Sequence, residues 1–579
     1  MTDYRAARFW APLAALLLLA CTIPLLNAPY VTTFTFTLIV ALILAQSWDW
    51  VGGQMGFINL GHFAFYGIGG YTFAILLTGG TPIWLAFAAA LIVTLVIAVI
   101  VSFPLFRLRG DYFAFATLAL LPLCQILAFN LEPLTGGSAG IPLPPHYVLV
   151  PAYYLALGVA VITFILSIVL DRVRFGYALK AIRNDEGAAA LSGIRILPVK
   201  IAVLAVSAIF AGLAGAVQTW QLGYLDPPSA FGLESGLIPI AMVLLGGSGL
   251  LLGPLFGVIV LGVAHQLLLV KLTMLQTTVY GAVILLVGRF MPGGLLRAFG
   301  WFSPVSEHAE IKPAQAAPAQ LSLGHVSAPD RPSAPLLECR GVSMVFGGNR
   351  AVNDVSLTVQ RGEIIGLVGP NGSGKTTLFN CISKVYEPPS GDVLLNGHSL
   401  RKVRPDTISR LGVGRTYQLP RPFSDLTVEE NVLVPLLFRD GAPPLMRAAL
   451  SEARDIATFA GLGSRLGKRA DELSLQEKKA LEFARALACK PRLLLVDEVA
   501  SGLTPAEVRH FVDLLRQVRD VHGITIIWVE HIFWALAELV ERLVVMENGS
   551  IIADGPLRDV MQHDEVLRAY LGSQMAEAV

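Results

Sequence analysis

Charge is nearly missing from the first half of this chain. Of the 43 Lys and Arg and the 42 Asp and Glu in 579 residues, only 22 lie in positions 1–302, which leaves 63 for the remaining 277. A soluble domain carries about 25% charged residues. The first part therefore cannot be an ordinary soluble domain, whereas the second can. The mean hydropathy of +0.63 averages these two unlike halves. Cysteine is scarce as well. Cys21, Cys124, Cys339, Cys381 and Cys489 have no close pairing that would make a redox motif or a metal site, and they read as small buried hydrophobes. The net charge is only +1, which gives nucleic acid no support as a partner. No repeat of fixed short period runs through the chain.

What the first half does have is long apolar runs. Arg5 and Arg8 precede one whose Leu18-Leu19-Ala20-Cys21 has the shape of a lipoprotein cleavage box. The run continues to Ala28 at spanning length, so a first transmembrane helix is expected there. Ten spans are expected in all, at about 9–28, 31–51, 57–79, 83–106, 112–130, 147–170, 201–221, 236–249, 253–270 and 275–291. The eighth is short, and Gly246-Gly247-Ser248-Gly249 and Gly253-Pro254 interrupt its surroundings. A re-entrant segment and a pair of half-helices both stay open for it. With Arg5 and Arg8 inside, alternation also places Arg107, Arg109, Arg172, Arg174, Lys180, Arg183, Arg195 and Lys200 inside. The intervening outer loops 131–146 and 222–235 contain no Lys or Arg. Asp49, Asn59 and His62 fall in or near spans, where polar groups line a pathway or bond between helices. Gly67, Gly69 and Gly70 read as sites of close helix packing.

Residues 303–335 are rich in Pro, Ala and Ser and read as a linker. From Leu336 the pattern changes to short apolar runs between helical stretches. The runs 363–368, 493–496 and 524–529 read as buried strands of a mostly parallel sheet. The expected organisation is a membrane domain at 1–302, a linker at 303–335 and an α/β domain at 336–579.

Gly369-Pro370-Asn371-Gly372-Ser373-Gly374-Lys375-Thr376 follows one of these strands and opens a helix, which is the context a phosphate loop requires. Its glycines let backbone amides converge on phosphate oxygens, and the helix N-terminus adds partial positive charge. Lys375 would reach the β- and γ-phosphates of ATP, the hydroxyl of Thr376 would hold Mg²⁺, and Thr377 beside it would join the nucleotide-binding run. Asp497 and Glu498 end the run 493–496. The first suits Mg²⁺ and the second the attacking water. His531 closes another strand in the same way and is a candidate sensor of the γ-phosphate.

In this order, with Gln418 in RTYQLPRPF and with Leu473-Ser474, these residues resemble an ATP-binding-cassette ATPase over nearly all of 336–579. The resemblance implies a multi-span α-helical membrane domain followed by an α/β P-loop cassette with a helical subdomain. It implies that Gln418 couples nucleotide to permease, among the catalytic and metal-site residues, and that Phe346 stacks on adenine. It also implies that Ser474 contacts nucleotide bound by an opposing subunit. The tail 565–572 looks like the ending of branched-chain amino-acid importer ATPases.

Two features depart from the family. Leu473-Ser474-Leu475-Gln476-Glu477 stands where LSGGQ is usual, and Thr504 stands where Asp is usual. In the first half, SWDWVGGQMGFINLGHFAFYGIGGYT (47–72), LRGDYFAFATLAL (108–120), LTGGSAGI (134–141) and GAVILLVGRFMPGGLL (281–295) resemble branched-chain amino-acid permeases. The basic stretch 172–194 resembles the coupling segment of ABC importers. The implied function is an ATP-driven importer of hydrophobic amino acids in a bacterial inner membrane, with the ATPase domain cytoplasmic and membrane lipid around the spans. Urea or aromatic acids are the alternative solutes, and an exporter is the alternative class. The implied partners are a second permease, a second ATPase with intact LSGGQ and a periplasmic solute-binding protein.

Overall fold

The computed structural model describes residues 7–108, 110–144, 148–264, 276–291, 293–298, 334–563 and 566. Arg5, Arg109, the linker up to residue 333 and all of the tail 565–572 except Val566 lie outside the described residues. The chain forms two compact units. One comprises Met1–Arg183 with Leu197–Val305, and the other Asn184–Ile196 with Ser306–Val579. The second unit thus includes a short stretch drawn from the middle of the apolar half, which the sequence divided at residue 302.

Six helices among the described residues are long and apolar enough to cross a membrane: Pro29–Gln54, Ile83–Leu105, Asp111–Asn130, Leu149–Leu170, Ile196–Leu222 and Pro227–Gly246. The other four expected spans are represented by shorter helices, Trp10–Leu26, His62–Thr78, Gly253–Gly262 and Gln276–Phe290. Two of these four expected spans, 253–270 and 275–291, include residues that are not described. His62–Thr78 begins later than the hydropathy at 57 suggests. The preceding helix widens into a π turn at Trp50–Gln54, and Gly56 then takes φ +80°. The eighth span begins earlier than expected. Asp226 and Ser229 form a capping box ahead of Pro227–Phe231, and Leu233–Gly246 follows at once. Glycine sets the helix spacing: a Cβ on Gly69 would stand 2.1 Å from the Gly212 carbonyl oxygen, and one on Gly246 would stand 1.9 Å from that of Gly253.

In the second unit the near-continuous apolar runs form the fully buried centre of a mostly parallel sheet, as expected where both faces of such a sheet are covered. Its strand order is Ser550–Pro556, Arg542–Glu547, Ile364–Val368, Thr525–Val529, Leu493–Asp497 and Val413–Arg415, and only the first pair is antiparallel. A four-stranded antiparallel sheet, led by Asn349–Val359 and Leu337–Phe346, lies beside it in sequence. Val428–Phe438, Met446–Phe459 and Leu475–Ala488 make a helical subdomain. Register decides what the parallel sheet presents. Val529 pairs with Asp497 on one side and with Leu367 on the other. The residues that follow these three strands therefore emerge at one edge.

Candidate functional site

Gly369 leaves its strand at φ +153°, and a Cβ there would stand 2.1 Å from the Met546 carbonyl oxygen. Gly374, at φ +100°, would meet the Ala351 oxygen at 2.2 Å. Side chains are excluded at both positions, which lets the loop fold tightly onto the sheet edge. Asn371 and Gly372 are exposed, Ser373 is buried, and Thr376 is exposed with Thr377 half-buried on the first turn of Lys375–Ile382. Nζ of Lys375 donates to the carbonyls of Gly369 at 2.8 Å and Pro370 at 3.0 Å. Burial pushes the Lys375 ammonium below its ordinary range, and the charges of Glu498 and Asp497 oppose that shift.

Glu498 is the hub of the site. Its backbone takes φ +45° as the chain leaves the strand, and its N–H donates to the Val529 carbonyl at 2.9 Å. Left-handed backbone at a residue other than glycine is uncommon and concentrates at functional sites. Oε2 accepts from Nε2 of Gln418 at 2.6 Å, and Oε1 lies 2.9 Å from Nε2 of His531. Three candidates that are far apart in sequence are thereby hydrogen-bonded together.

Asp497 is 1% exposed. Its Oδ2 pairs with Arg415 at 3.5 Å, its backbone N–H donates to Oγ1 of Thr416 at 3.1 Å, and its buried Oδ1 has no hydrogen-bond partner. Burial raises the Asp497 carboxyl above its usual range, against the pull of Arg415. Nothing in the sequence singled out Arg415, because its role depends on a neighbouring strand. Glu530 was also missed, although the same strand-end signal that marked His531 was available for it. Its buried carboxylate accepts from the N–H of Ala500 at 2.7 Å and of His531 at 3.0 Å. Lys479 completes the support of the loop after Glu498 by donating to the carbonyls of Val499, at 2.9 Å, and Ser501.

Phe346 is half-exposed and packs edge-on against Tyr386 with ring centroids 5.2 Å apart. Ser474 joins none of these contacts. Its hydroxyl accepts from the N–H of Glu477, whose carboxylate accepts from the N–H of Ser474, so the pair caps Leu475–Ala488. Leu475 and Gln476 are exposed at that helix start. Thr504 caps Pro505–His522 in the same way with Glu507.

Residues 184–196 belong to the same unit as the cassette and pack on it. Oδ1 of Asp185 accepts from the N–H of Ala188 at 2.7 Å and starts the helix Glu186–Leu191, while Oδ2 pairs with Arg421 at 3.4 Å. Asn184 accepts from the Asp425 N–H at 3.3 Å, and Arg410 donates to the Gly193 carbonyl at 2.9 Å. Gly193 has φ +87°, and a Cβ would stand 2.9 Å from the Phe438 oxygen. Of the expected segment 172–194, residues 184–194 thus fall in the cassette's unit and residues 172–183 in the other. Arg183 falls in the other unit, where its NH1 donates to the Gly53 carbonyl at 2.6 Å.

In that other unit, Oδ1 of Asp49 accepts from the Gly249 N–H at 2.7 Å, and Nε2 of His62 lies 3.1 Å from Oγ of Ser47 on the preceding helix. Oδ1 of Asn59 accepts from the Gly61 N–H at 3.1 Å. Each of the three thus bonds to the protein interior.

The family of branched-chain amino acid transport system permease components matches residues 30–288, and the ABC transporter family matches residues 352–501. The high-affinity branched-chain amino acid transport ATP-binding protein LivG of Salmonella typhimurium is 37% identical over 252 residues, which cover 42% of this chain and 99% of LivG. The corresponding BraF of Pseudomonas aeruginosa is 34% identical over 255 residues, again 42% of this chain and 99% of BraF. A solved ATP-binding cassette of an ABC transporter in its ADP conformation is 28% identical and covers 42% of this chain and 100% of that chain, with a TM-score of 0.38.

Proposed function

Because this chain belongs to the branched-chain amino acid transport family of ABC transporters, we propose that it imports branched-chain or similar hydrophobic amino acids across a bacterial inner membrane, driven by ATP hydrolysis in its own cassette. The ATP-hydrolysis part of this reading rests on the Glu498 carboxylate, held by Gln418 and His531 at the strand edge beside the phosphate loop, and the solute on the match of residues 30–288 to branched-chain amino acid permeases. The fusion makes the chain a multi-pass membrane protein with an ATPase attached.

In this reading the amides of residues 369–376 and the Lys375 ammonium bind the phosphates, and Phe346 with Tyr386 flanks adenine. Glu498 accepts a proton from the attacking water while Gln418 and His531 hold its carboxylate. Gln418 and His531 also sense whether the γ-phosphate is present. Asp497 and Thr376, with Gln418, would hold Mg²⁺. The buried and unpartnered Oδ1 of Asp497 fits that group, which would neutralise phosphate charge when bound.

Transport is tested by reconstituting the chain in vesicles with its neighbouring gene products, including a secreted solute-binding protein. ATP-dependent uptake of leucine-class amino acids is expected. Uptake of urea or an aromatic acid instead would replace the solute, and ATP-driven export would overturn the reading.

The working assembly in this proposal is heteromeric, with a second permease and a second cassette. Leu475 and Gln476 carry side chains where glycine allows backbone to approach phosphate closely, so this chain's own signature segment completes a site poorly. A partner with intact LSGGQ would complete the site built on Lys375 and Glu498. Lys375→Ala is then expected to remove most of the complex's ATPase activity, while the equivalent partner variant removes little. Full activity from the isolated chain, or equal losses from the two variants, would count against this asymmetry.

A further inference from the structure

Arg415 is a buried cation that no step above uses. Its side chain is 3% exposed, and NH2 pairs with Oδ2 of Asp497 at 3.5 Å. NH1 donates to Oδ1 of Asn380 at 2.6 Å and to Oγ of Ser383 at 2.8 Å. These two acceptors sit at the C-terminal end of Lys375–Ile382, the helix that the phosphate loop opens. The guanidinium is a planar fork, so fixing it at NH1 also fixes the direction in which NH2 points. Arg415 pairs with Leu495 across neighbouring parallel strands, which places it on the same sheet face as Asp497, two residues further on.

Left alone, an aspartate carboxylate at a strand end turns about its last bond and offers either oxygen. Here Oδ2 is taken by Arg415 and the backbone N–H by Thr416, while Oδ1 is buried with no partner. We propose that Arg415 is the positioning residue for Asp497: by engaging Oδ2 it presents Oδ1, and only Oδ1, to the divalent cation of the nucleotide site. This rests on the reading of Asp497 as the metal carboxylate. It adds that the affinity for that cation is also set by a residue that does not touch the cation itself, on the neighbouring strand. Partners that orient a metal-ligating group typically account for about 10–100-fold in metal affinity.

The test uses the full complex with ATP bound in the Glu498→Gln background and measures Mn²⁺ binding by electron paramagnetic resonance. ATP binding in the presence of a chelator is measured beside it. Arg415→Met should weaken Mn²⁺ binding about tenfold or more while metal-free ATP affinity stays within about twofold. Arg415→Lys, which keeps the charge but loses the fork, should fall between the two and carries the test if the methionine variant does not fold. Asp497→Asn should remove the Mn²⁺ bound at this chain's own cassette, leaving only the ion held by the partner cassette. If Asp497→Asn retains the ion of its own cassette, the metal reading fails and this inference falls with it. If Asp497→Asn loses that ion while the Arg415 variants keep wild-type affinity, the inference alone fails. An equal loss of metal-free ATP binding in the Arg415 variants would also overturn it, because it would mark Arg415 as a general support of the loop.

Discussion

Glu498→Gln is expected to leave ATP binding intact and to lower hydrolysis by about 10²–10⁴, the usual range for loss of a general base. The amide keeps the size of the carboxylate, and its oxygen still accepts from Nε2 of Gln418, which now lies 2.6 Å from Oε2. What it loses is the capacity to take a proton from water. The left-handed backbone at residue 498, φ +45°, is as accessible to Gln as to Glu, so the loop should keep its course. The expected result is a complex that retains labelled ATP through gel filtration and releases almost no phosphate. Unchanged phosphate release in the assembled complex would remove Glu498 from the reaction and leave His531 as the candidate base.

Gly193→Val is expected to cut uptake at least about tenfold while ATP hydrolysis continues. Gly193 sits at φ +87° with the Phe438 oxygen 2.9 Å from where a Cβ would be. Forcing an L residue into left-handed backbone costs roughly 1–2 kcal/mol, and about 1.4 kcal/mol is a factor of ten in an equilibrium. The Phe438 contact adds to that cost. The docked stretch 184–196 would then lose its seat, including the Arg410 bond to the Gly193 carbonyl. The catalytic residues lie on other elements and stay in place. Uptake and ATPase rates measured on the same vesicles decide the matter. Uptake at the wild-type rate would mean that the two halves communicate elsewhere. A charge reversal at Arg183 is the wrong probe, because its guanidinium holds the Gly53 carbonyl inside the membrane unit.

Residues that carry chemistry at a strand end were legible because the signal is local. Four apolar residues running into Asp497-Glu498, and four more, Ile526 to Val529, into Glu530-His531, declare a buried strand and its carboxyl edge within one window. The phosphate loop declares itself by glycine spacing between strand and helix. The capping boxes at Ser474–Glu477 and Thr504–Glu507 were equally local. They give Ser474 and Thr504 a helix-start role that a family pattern alone does not supply.

Helix boundaries in the membrane half were less legible, because hydropathy reports solvent and not backbone. The apolar run from 57 carries no mark of the π turn at Trp50–Gln54 that delays the next helix to His62. Conversely, Glu234 and the prolines at 227 and 228 hid the start of a helix-rich stretch that reaches Gly246.

By itself, then, the sequence determined which half is apolar, which loop has the spacing of a phosphate loop and which carboxylates end buried strands, since each follows from a spacing of a few residues along one chain. Tertiary structure alone decided that Gln418 and His531 share the Glu498 carboxylate, that Arg415 occupies one oxygen of Asp497, and that residues 184–196 pack with the cassette. Those partners are separated by tens to hundreds of residues. Parallel register brings His531 beside Glu498 by setting Val529 opposite Asp497, and Arg415 beside Asp497 by setting Arg415 opposite Leu495, and pairing register is a property of two strands together that neither one encodes in its own composition.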